Sequence, residues 1–372
     1  MLSLQEKKPY FKNLDSLRFF AAFFVILGHC IRSVPKIKIP LANSIINSFL
    51  DGALWVSFFF VLSGFLIGYL IYVELKEESF SPKKFLIRRA LRIWPLFYAV
   101  IFLAFFIFPI LRFYLSGILF WYPSWWKFIF FGGNYVILEA HKTGNDLLAP
   151  HPALVTWSIA VEEQFYILIS IIILFVKQKY LIIVTSCIAI FGIGYLLLIE
   201  ESKSYLHSHT FWSTFDFFIG ITLGLLFAFH QKCRDFVSRN RIYLKWFIIS
   251  VVIALLLMKD FSVSYNLIKI SYVTLFAIII IYAIYSSSRF FNAIGNNVWL
   301  SYFGKISYGI YLWHSFVQYP LNLYSHKYFG QTPSIQKELI IALLTVVITL
   351  IIAHLSFKYF ESYFLKLKSK FY

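Results

Sequence analysis

The stretch LDSLRFFAAFFVILGHC, residues 14–30, has the apolar character of a membrane-spanning helix, yet Asp15, Arg18 and His29 lie inside it or at its edge. A charged side chain at the bilayer centre costs roughly 2.5–3.5 kcal/mol on insertion scales. Polar residues that are kept at such a cost are candidates for a functional site.

The composition indicates that the whole chain is an all-α polytopic membrane protein. Of its 372 residues, 60% are apolar and only 14% are charged, whereas soluble domains are about 45–50% apolar and about 25% charged. The first apolar run lacks a small-residue cleavage site, so we expect no cleavable signal peptide. Many further apolar runs follow it, as in a multi-pass protein.

The formal net charge of +17 does not by itself indicate a nucleic-acid partner. Membrane proteins concentrate lysine and arginine in cytoplasmic loops, which is enough to make the total basic. The three cysteines, Cys30, Cys187 and Cys233, are odd in number and lack metal-ligand spacing. The sequence therefore predicts neither nucleic-acid binding, nor a disulfide framework, nor a metal site.

Apolar runs of about 20 residues predict ten transmembrane helices. They lie near residues 17–34, 53–73, 94–114, 157–176, 180–199, 213–230, 245–259, 268–286, 305–325 and 337–357. A further apolar stretch, 125–138, is interrupted by two glycines and is expected to form an interfacial or re-entrant helix. The predicted organisation is a single transmembrane domain over 1–372, with its core at about 11–357.

The distribution of lysine and arginine predicts the orientation of these spans. If both termini are cytoplasmic, 23 of the 34 basic residues lie in inside segments and 11 lie outside. This bias follows the positive-inside rule and agrees with an even number of spans. The long loop 115–156 is then expected to be extracytoplasmic.

Arg18 and His29 are predicted to share one face of the first span. They are eleven residues apart, which is about 20° past three full helical turns and a rise of about 16 Å. Arg18 then lies at the cytoplasmic boundary and His29 beyond the midplane. Arg18 could be only a topology anchor, and His29 could form only an interhelical hydrogen bond. However, a buried histidine that can carry protons is a functional candidate.

The segment KKFLIRRALRIWP, residues 83–95, places Arg89 and Arg92 three residues apart. Residues at this spacing share a face of a helix. Two guanidinium groups on one face suit a phosphate ligand. The alternative is that both arginines are topology anchors.

The fourth span carries the adjacent carboxylates Glu162 and Glu163 about one and a half turns inside its outer end. Neighbouring side chains on a helix point about 100° apart, so at most one of them can face a given cavity. A buried carboxylate needs a partner, and His29 is available at a comparable predicted depth. The alternative is a salt bridge that only holds helices together.

Two further groups of residues have a simpler interpretation. In the second span, Ser63, Gly64 and Gly68 favour close helix packing, although they could also line a narrow path for a slender substrate. In the ninth span, His314 is expected in the cytoplasmic half among aromatic residues, where packing is the preferred role.

Five stretches, in their order along the chain, resemble the integral-membrane acyltransferase-3 family. They are LDSLRFFAAFFVILGH, FFFVLSGFLI, RRALRIWPLF, TWSIAVEEQFY and ISYGIYLWH. The resemblance covers roughly residues 11–357 and implies O-acyl transfer to a carbohydrate or similar hydroxyl, with cytoplasmic acetyl-coenzyme A as the usual donor. Many members carry an additional esterase-like domain, and this sequence is expected to be of the stand-alone type.

The resemblance also implies roles for individual positions. Seven of them match the family's motifs, namely Arg18 and His29, Arg89 and Arg92, and Trp157, Ser158 and Glu162. We expect Arg89 and Arg92 to hold the donor phosphates at the cytoplasmic mouth, with the pantetheine arm passing Arg18. His29 would act as general base, a role that typically contributes 10²–10⁴-fold. Glu162 would orient the imidazole or stabilise its cation.

The remaining expectations concern the path and the surroundings. Ser63, Trp157 and Ser158 are expected to line the path. The resemblance implies that the acceptor is a surface polysaccharide or glycolipid of a bacterial cell envelope and that the protein lies in the inner membrane. An acyl-histidine intermediate remains open. A proton-coupled transporter of glycan or lipid precursors is the alternative function, whereas a purely structural component leaves the Arg18–His29 alignment unexplained.

Overall fold

The computed structural model of the chain describes residues 11–31, 46–47, 50–117, 124–143, 151–199, 207–258, 264–285, 288–330 and 334–371. Nearly all of these residues are helical, and none of them forms a β-strand. The predicted all-α class is therefore confirmed.

In its described residues, the N-terminal part contains six α-helices. They are α1 (Lys12–Cys30), α2 (Gly52–Lys76), α3 (Pro82–Phe102), α4 (Phe108–Ser116), α5 (Trp125–Ile129) and α6 (Gly133–Thr143). A π-helical turn, Leu103–Ile107, joins α3 to α4. The hydroxyl of Ser81 caps α3 by accepting a hydrogen bond from the Lys84 amide at 3.4 Å. Pro82 follows at the first helical position, where its missing N–H is not needed.

Eleven α-helices follow within the part of the remaining chain that the structure describes. They are α7 (Trp157–Phe175), α8 (Leu181–Leu198), α9 (Thr214–Phe229), α10 (Gln231–Arg239), α11 (Arg241–Met258), α12 (Tyr265–Tyr285), α13 (Arg289–Asn296), α14 (Val298–Lys305), α15 (Ser307–Phe329), α16 (Ile335–Ser356) and α17 (Ser362–Leu367). A 3₁₀ turn, Pro152–Thr156, leads directly into α7.

The chain is a multi-pass integral membrane protein. Within the described ranges, seven helical segments are long and apolar enough to cross a bilayer, and each coincides with a predicted span. The other three predicted spans coincide with α1, α11 and α15, which have 19, 18 and 23 residues. A helix of about 20 residues spans the hydrocarbon core. Ten crossings with both termini in the cytoplasm stay a prediction.

The stretch 125–138 forms two short helices where one interrupted helix was predicted. Helices α5 and α6 are separated by a turn in which Phe131 has a φ of 54°. A Cβ atom on Gly133 would lie 2.6 Å from the Phe128 ring, so only glycine fits there. Within the predicted extracytoplasmic loop 115–156, residues 118–123 and 144–150 lie outside the described residues.

Helices α2 and α9 cross at backbone contact through two glycines on each helix. A Cβ atom on Gly64 would lie 2.1 Å from the Phe217 carbonyl oxygen, and one on Gly68 would lie 2.3 Å from that of Ile221. The equivalent atoms on Gly220 and Gly224 would each lie 2.2 Å from a carbonyl oxygen of α2. Small residues four apart permit such crossings in membranes, so the predicted packing role of Gly64 and Gly68 is confirmed.

The substitution Gly220→Ala is expected to destabilise the protein, because the added methyl group meets the Val61 carbonyl oxygen and the Phe65 amide nitrogen. Overpacking typically costs 1–3 kcal/mol, and main-chain atoms cannot move aside without shifting a helix. The midpoint of thermal unfolding in detergent should fall. Gly194→Ala is the matched control, since no atom outside its own helix lies within 4 Å of the new Cβ. Equal midpoints for the two variants would contradict the close crossing.

Polar contacts fix the beginning of α1, which carries Arg18. The Asn13 side chain donates to the Ala283 carbonyl at 2.7 Å, and the Ser16 hydroxyl donates to the Ile294 carbonyl at 2.8 Å. A Cβ atom on Gly304 would lie 1.8 Å from the Asp15 carbonyl oxygen, so α14 also touches the α1 backbone. These contacts fix the position of the α1 segment that carries Arg18.

Candidate functional site

A partly open cavity lies between α1, α2, α3, α7 and α15, with about 750 Å³ of atom-free space when the open solvent at its mouth is included. Six of the eight predicted site residues line it, and they are Arg18, Ser63, Arg89, Arg92, Ser158 and Glu162. Apolar and aromatic side chains form most of the remaining wall. Four helices, α1, α2, α3 and α7, thus bring these six residues to one site.

One end of the cavity is cationic. Arg18 pairs with Asp15 at 2.9 Å, and its side chain is only 15% exposed. The Arg89 guanidinium lies 5.4 Å from the Phe85 ring centre and 5.5 Å from that of Tyr166. No described carboxylate forms an ion pair with Arg89 or Arg92. Both guanidinium groups line the cavity and could bind an anionic ligand there.

The neighbouring arginine has a different, structural environment. Arg88 is buried and donates to both carboxylate oxygens of Glu74, at 2.8 and 2.7 Å. It also donates to the Phe371 carbonyl at 2.8 Å. Since neighbouring side chains on a helix point about 100° apart, α3 directs Arg88 into a permanent ion pair while Arg89 faces the cavity.

Glu162 faces the cavity with two hydroxyl groups as its partners. The Ser63 hydroxyl donates to Glu162 Oε1 at 2.6 Å, and the Tyr166 hydroxyl donates to the same oxygen. In the described residues both recorded partners of Oε1 come from α2 and α7 rather than from His29, and the role expected of Glu162 towards His29 stays a prediction. Glu163 is buried and lines a separate apolar crevice on the other side of α7, as the 100° offset predicted.

The other end of the cavity carries paired hydroxyl groups. The Tyr311 hydroxyl donates to the Val155 carbonyl at 2.9 Å and lies 2.8 Å from the Ser158 hydroxyl, which can donate to it. Trp157, which was also expected to line the path, is not part of the cavity wall. Its ring packs edge-on against Phe60 and His207, at centroid distances of 6.3 and 5.3 Å.

His29 lies beyond the hydroxyl end and is not part of the cavity wall, and a second histidine is one of its polar partners. His29 Nδ1 is 3.0 Å from His314 Nε2, and His314 Nδ1 contacts the Tyr311 carbonyl oxygen. His314 has no exposed surface. The register of α15 brings His314 level with His29, so the predicted depths of these two histidines, on opposite sides of the midplane, cannot both be right.

The sequence contains a pattern that could have indicated a site role for His314. Ser307, Tyr311, His314 and Gln318 follow each other at spacings of four, three and four residues, which is one face of a helix. The Gln318 amide donates to the His29 carbonyl at 2.5 Å. Both Ser307 and Tyr311 line the cavity. A polar stripe through an otherwise apolar helix marks the surface that faces α1.

The arrangement can bind an elongated anionic molecule and expose its far end to an imidazole. Arg89 and Arg92, which form no ion pair among the described residues, could bind the anion, and the hydroxyl groups of Ser63, Tyr166, Ser158 and Tyr311 line the cavity wall. In the ranges that the structure describes, no group of three or more histidine, cysteine or acidic residues could hold a metal ion.

Comparison with known proteins gives a consistent assignment. The model of a family described as an acyltransferase domain matches residues 11–355. The peptidoglycan O-acetyltransferase OatA of Listeria monocytogenes is 27% identical over 380 residues, which are 95% of this chain and 56% of that protein. The O-acetyltransferase OatA of Staphylococcus aureus is 26% identical over 381 residues, 95% of this chain and 57% of that protein.

The chain thus spans a little over half the length of the curated relatives it matches. No solved structure matches it.

Proposed function

The chain belongs to the acyltransferase-3 family, and from that premise we propose that it is a membrane O-acetyltransferase of the bacterial cell envelope. It moves an acetyl group from cytoplasmic acetyl-coenzyme A to a hydroxyl of an extracytoplasmic or lipid-linked carbohydrate. The names of the matched relatives make peptidoglycan the first acceptor to test. The bacterial plasma membrane is the corresponding location.

The main support for this proposal is that the two ends of the cavity differ in their chemistry. Arg89 and Arg92 stand at one end without carboxylate partners, and the His29–His314 pair lies beyond the other end. Coenzyme A has phosphates at one end and a thin pantetheine arm that ends in the thioester. The two ends of such a donor match the two ends of the cavity, so the reactive carbon can approach His29 while the phosphates stay at the arginines.

His29 performs the proton transfers in the proposed reaction. It removes the proton of the acceptor hydroxyl while that oxygen attacks the thioester carbonyl carbon. The new C–O bond forms, the C–S bond breaks, and His29 returns the proton to the leaving sulfur, which gives the thiol of coenzyme A. Arg18 and Glu162 line the path of the donor rather than touch the base. Glu162 offsets part of the arginine charge and holds the Ser63 hydroxyl in place.

Membrane vesicles of known sidedness test this function and the predicted orientation together. Acetyl-coenzyme A with a radioactive acetyl group should label cell-envelope carbohydrate in inverted vesicles, where the cytoplasmic face is outside, and not in sealed right-side-out vesicles. Mild alkali should release the label, because O-acetyl esters are base-labile. Vesicles without the protein are the control.

Two results would contradict the proposal. Absence of transfer in inverted vesicles that contain correctly inserted protein would remove the acetyltransferase function. Uptake of an intact glycan or lipid precursor without any acetyl transfer would support the transporter alternative.

A further inference from the structure

We propose that His314 is a positioning residue that fixes the tautomer of His29, so that His29 Nε2 is the atom that takes the proton of the acceptor hydroxyl. This inference rests on the proposed function. It assigns a role to a histidine for which the sequence favoured packing.

The contact of His314 on the side away from His29 determines which of its ring nitrogens carries the hydrogen. His314 Nδ1 contacts the backbone carbonyl oxygen of Tyr311, and a carbonyl oxygen can only accept a hydrogen bond. The hydrogen of the neutral His314 ring is therefore on Nδ1, and Nε2 carries a lone pair. No described carboxylate contacts His314, so a cationic ring at this fully buried position would be uncompensated.

The state of His29 follows from that of His314. His29 Nδ1 lies 3.0 Å from His314 Nε2, and because the latter is an acceptor, Nδ1 must be the donor. The hydrogen of neutral His29 is then on Nδ1, which leaves the lone pair on Nε2. When Nε2 takes the substrate proton, Nδ1 keeps its hydrogen and its bond to His314. The partner does not need to reorganise during the reaction.

The surroundings hold the His29 ring in the orientation that this bond requires. Gln318 fixes the main chain at His29, with its amide 2.5 Å from the carbonyl oxygen. The Nε2 edge of the ring faces Gly52 at the start of α2, where a Cβ atom would lie 3.4 Å from Nε2. His314 and Gln318, four residues apart on α15, thus position the side chain and the backbone of His29.

A pair of substitutions at 314 separates this role from packing. In His314→Gln, the amide oxygen can replace Nε2 as acceptor, whereas the similarly sized leucine of His314→Leu cannot accept at all. For His314→Leu we expect kcat to fall by roughly 10²–10⁴, the range of a lost general base, because His29 can then adopt the wrong tautomer. The wrong tautomer costs about 10⁴ in a serine-protease triad.

The same experiment distinguishes a positioning role from a general loss of structure. The KM for acetyl-coenzyme A should stay within about twofold in both variants, because the arginine end is untouched, and kcat of His314→Gln should exceed that of His314→Leu by at least about tenfold. His354→Leu is the matched control. That histidine lies outside the cavity wall and contacts the Tyr302 hydroxyl at 2.6 Å, so its loss should leave kcat unchanged.

The possible outcomes are distinct. A near-normal kcat in His314→Leu overturns this inference, and so does a His314→Gln variant that inserts but is no better than His314→Leu. If His29→Ala retains transfer, the proposed mechanism itself fails.

A second measurement uses the wild-type protein labelled with ¹⁵N-histidine and therefore does not depend on how the position-314 variants fold. The nitrogen signals that are present in the wild type and absent from His29→Gln belong to His29. They should show a protonated Nδ1 and an unprotonated Nε2. The opposite assignment overturns the inference.

Discussion

His29→Ala is expected to abolish acetyl transfer while the protein still inserts into the membrane and accumulates. The substitution removes the proposed general base, which typically accounts for 10²–10⁴ in rate, and leaves the arginine end of the cavity unchanged. The measurement is the initial rate of acetyl transfer in inverted vesicles at matched protein levels. Near-normal transfer by this variant would remove His29 from the mechanism.

Cys30→Ala is the matched control for that variant. Cys30 is the next residue along α1 and points about 100° away from His29. It is buried, with 6% of its surface exposed. It packs in the small cluster that contains Ala22 and Ile26. Its loss should leave the transfer rate close to that of the wild type. An equally inactive Cys30→Ala variant would mean that the end of α1 is merely intolerant of change.

The double substitution of Arg89 and Arg92 by lysine should raise the KM for acetyl-coenzyme A at least about tenfold. Lysine keeps the charge and satisfies the positive-inside rule, but it lacks the planar fork that binds phosphate through two hydrogen bonds. Loss of one charge-assisted bond costs about 1.5–3 kcal/mol, which is tenfold or more in affinity. The KM for the acceptor should change little, because in the proposed mechanism the acceptor approaches from the opposite side.

Arg239 and Arg241 provide the control pair for this experiment. Both are exposed, and neither lines the cavity. The same double change to lysine at these positions should leave the donor KM unaltered. If instead this pair raises the donor KM and the pair on α3 does not, Arg89 and Arg92 are topology anchors and the donor phosphates bind near α10 and α11.

The spans and the arginine face could be predicted from sequence because hydropathy and helical spacing are local properties. The seven helices that are long and apolar enough to cross a bilayer all match predicted spans. Arg89 and Arg92 share a face for the same reason that any residues three apart on a helix do. The 100° offset of Glu162 and Glu163 is also a local property, and the structure shows them on opposite sides of α7.

The partners of these residues depend on which helices meet, and local patterns do not contain that information. Glu162 was assigned to His29 because their predicted depths agreed. However, the Oε1 atom of Glu162 accepts hydrogen bonds from a serine hydroxyl on α2 and from a tyrosine hydroxyl one turn further along α7. His314 was assigned to packing because its neighbours in sequence are aromatic. Its true neighbour is 285 positions away in the chain.

The backbone contact between α2 and α9 has a consequence for genetics. When a side chain is enlarged at an ordinary helix interface, a smaller residue on the partner helix can often make room for it. At Gly64, Gly68, Gly220 and Gly224, the opposing atom is a main-chain carbonyl oxygen, which every amino acid carries. No substitution at the facing position can compensate. Revertants of a defective variant at any of these four positions should therefore restore glycine itself, and second-site suppressors should be absent from the partner helix.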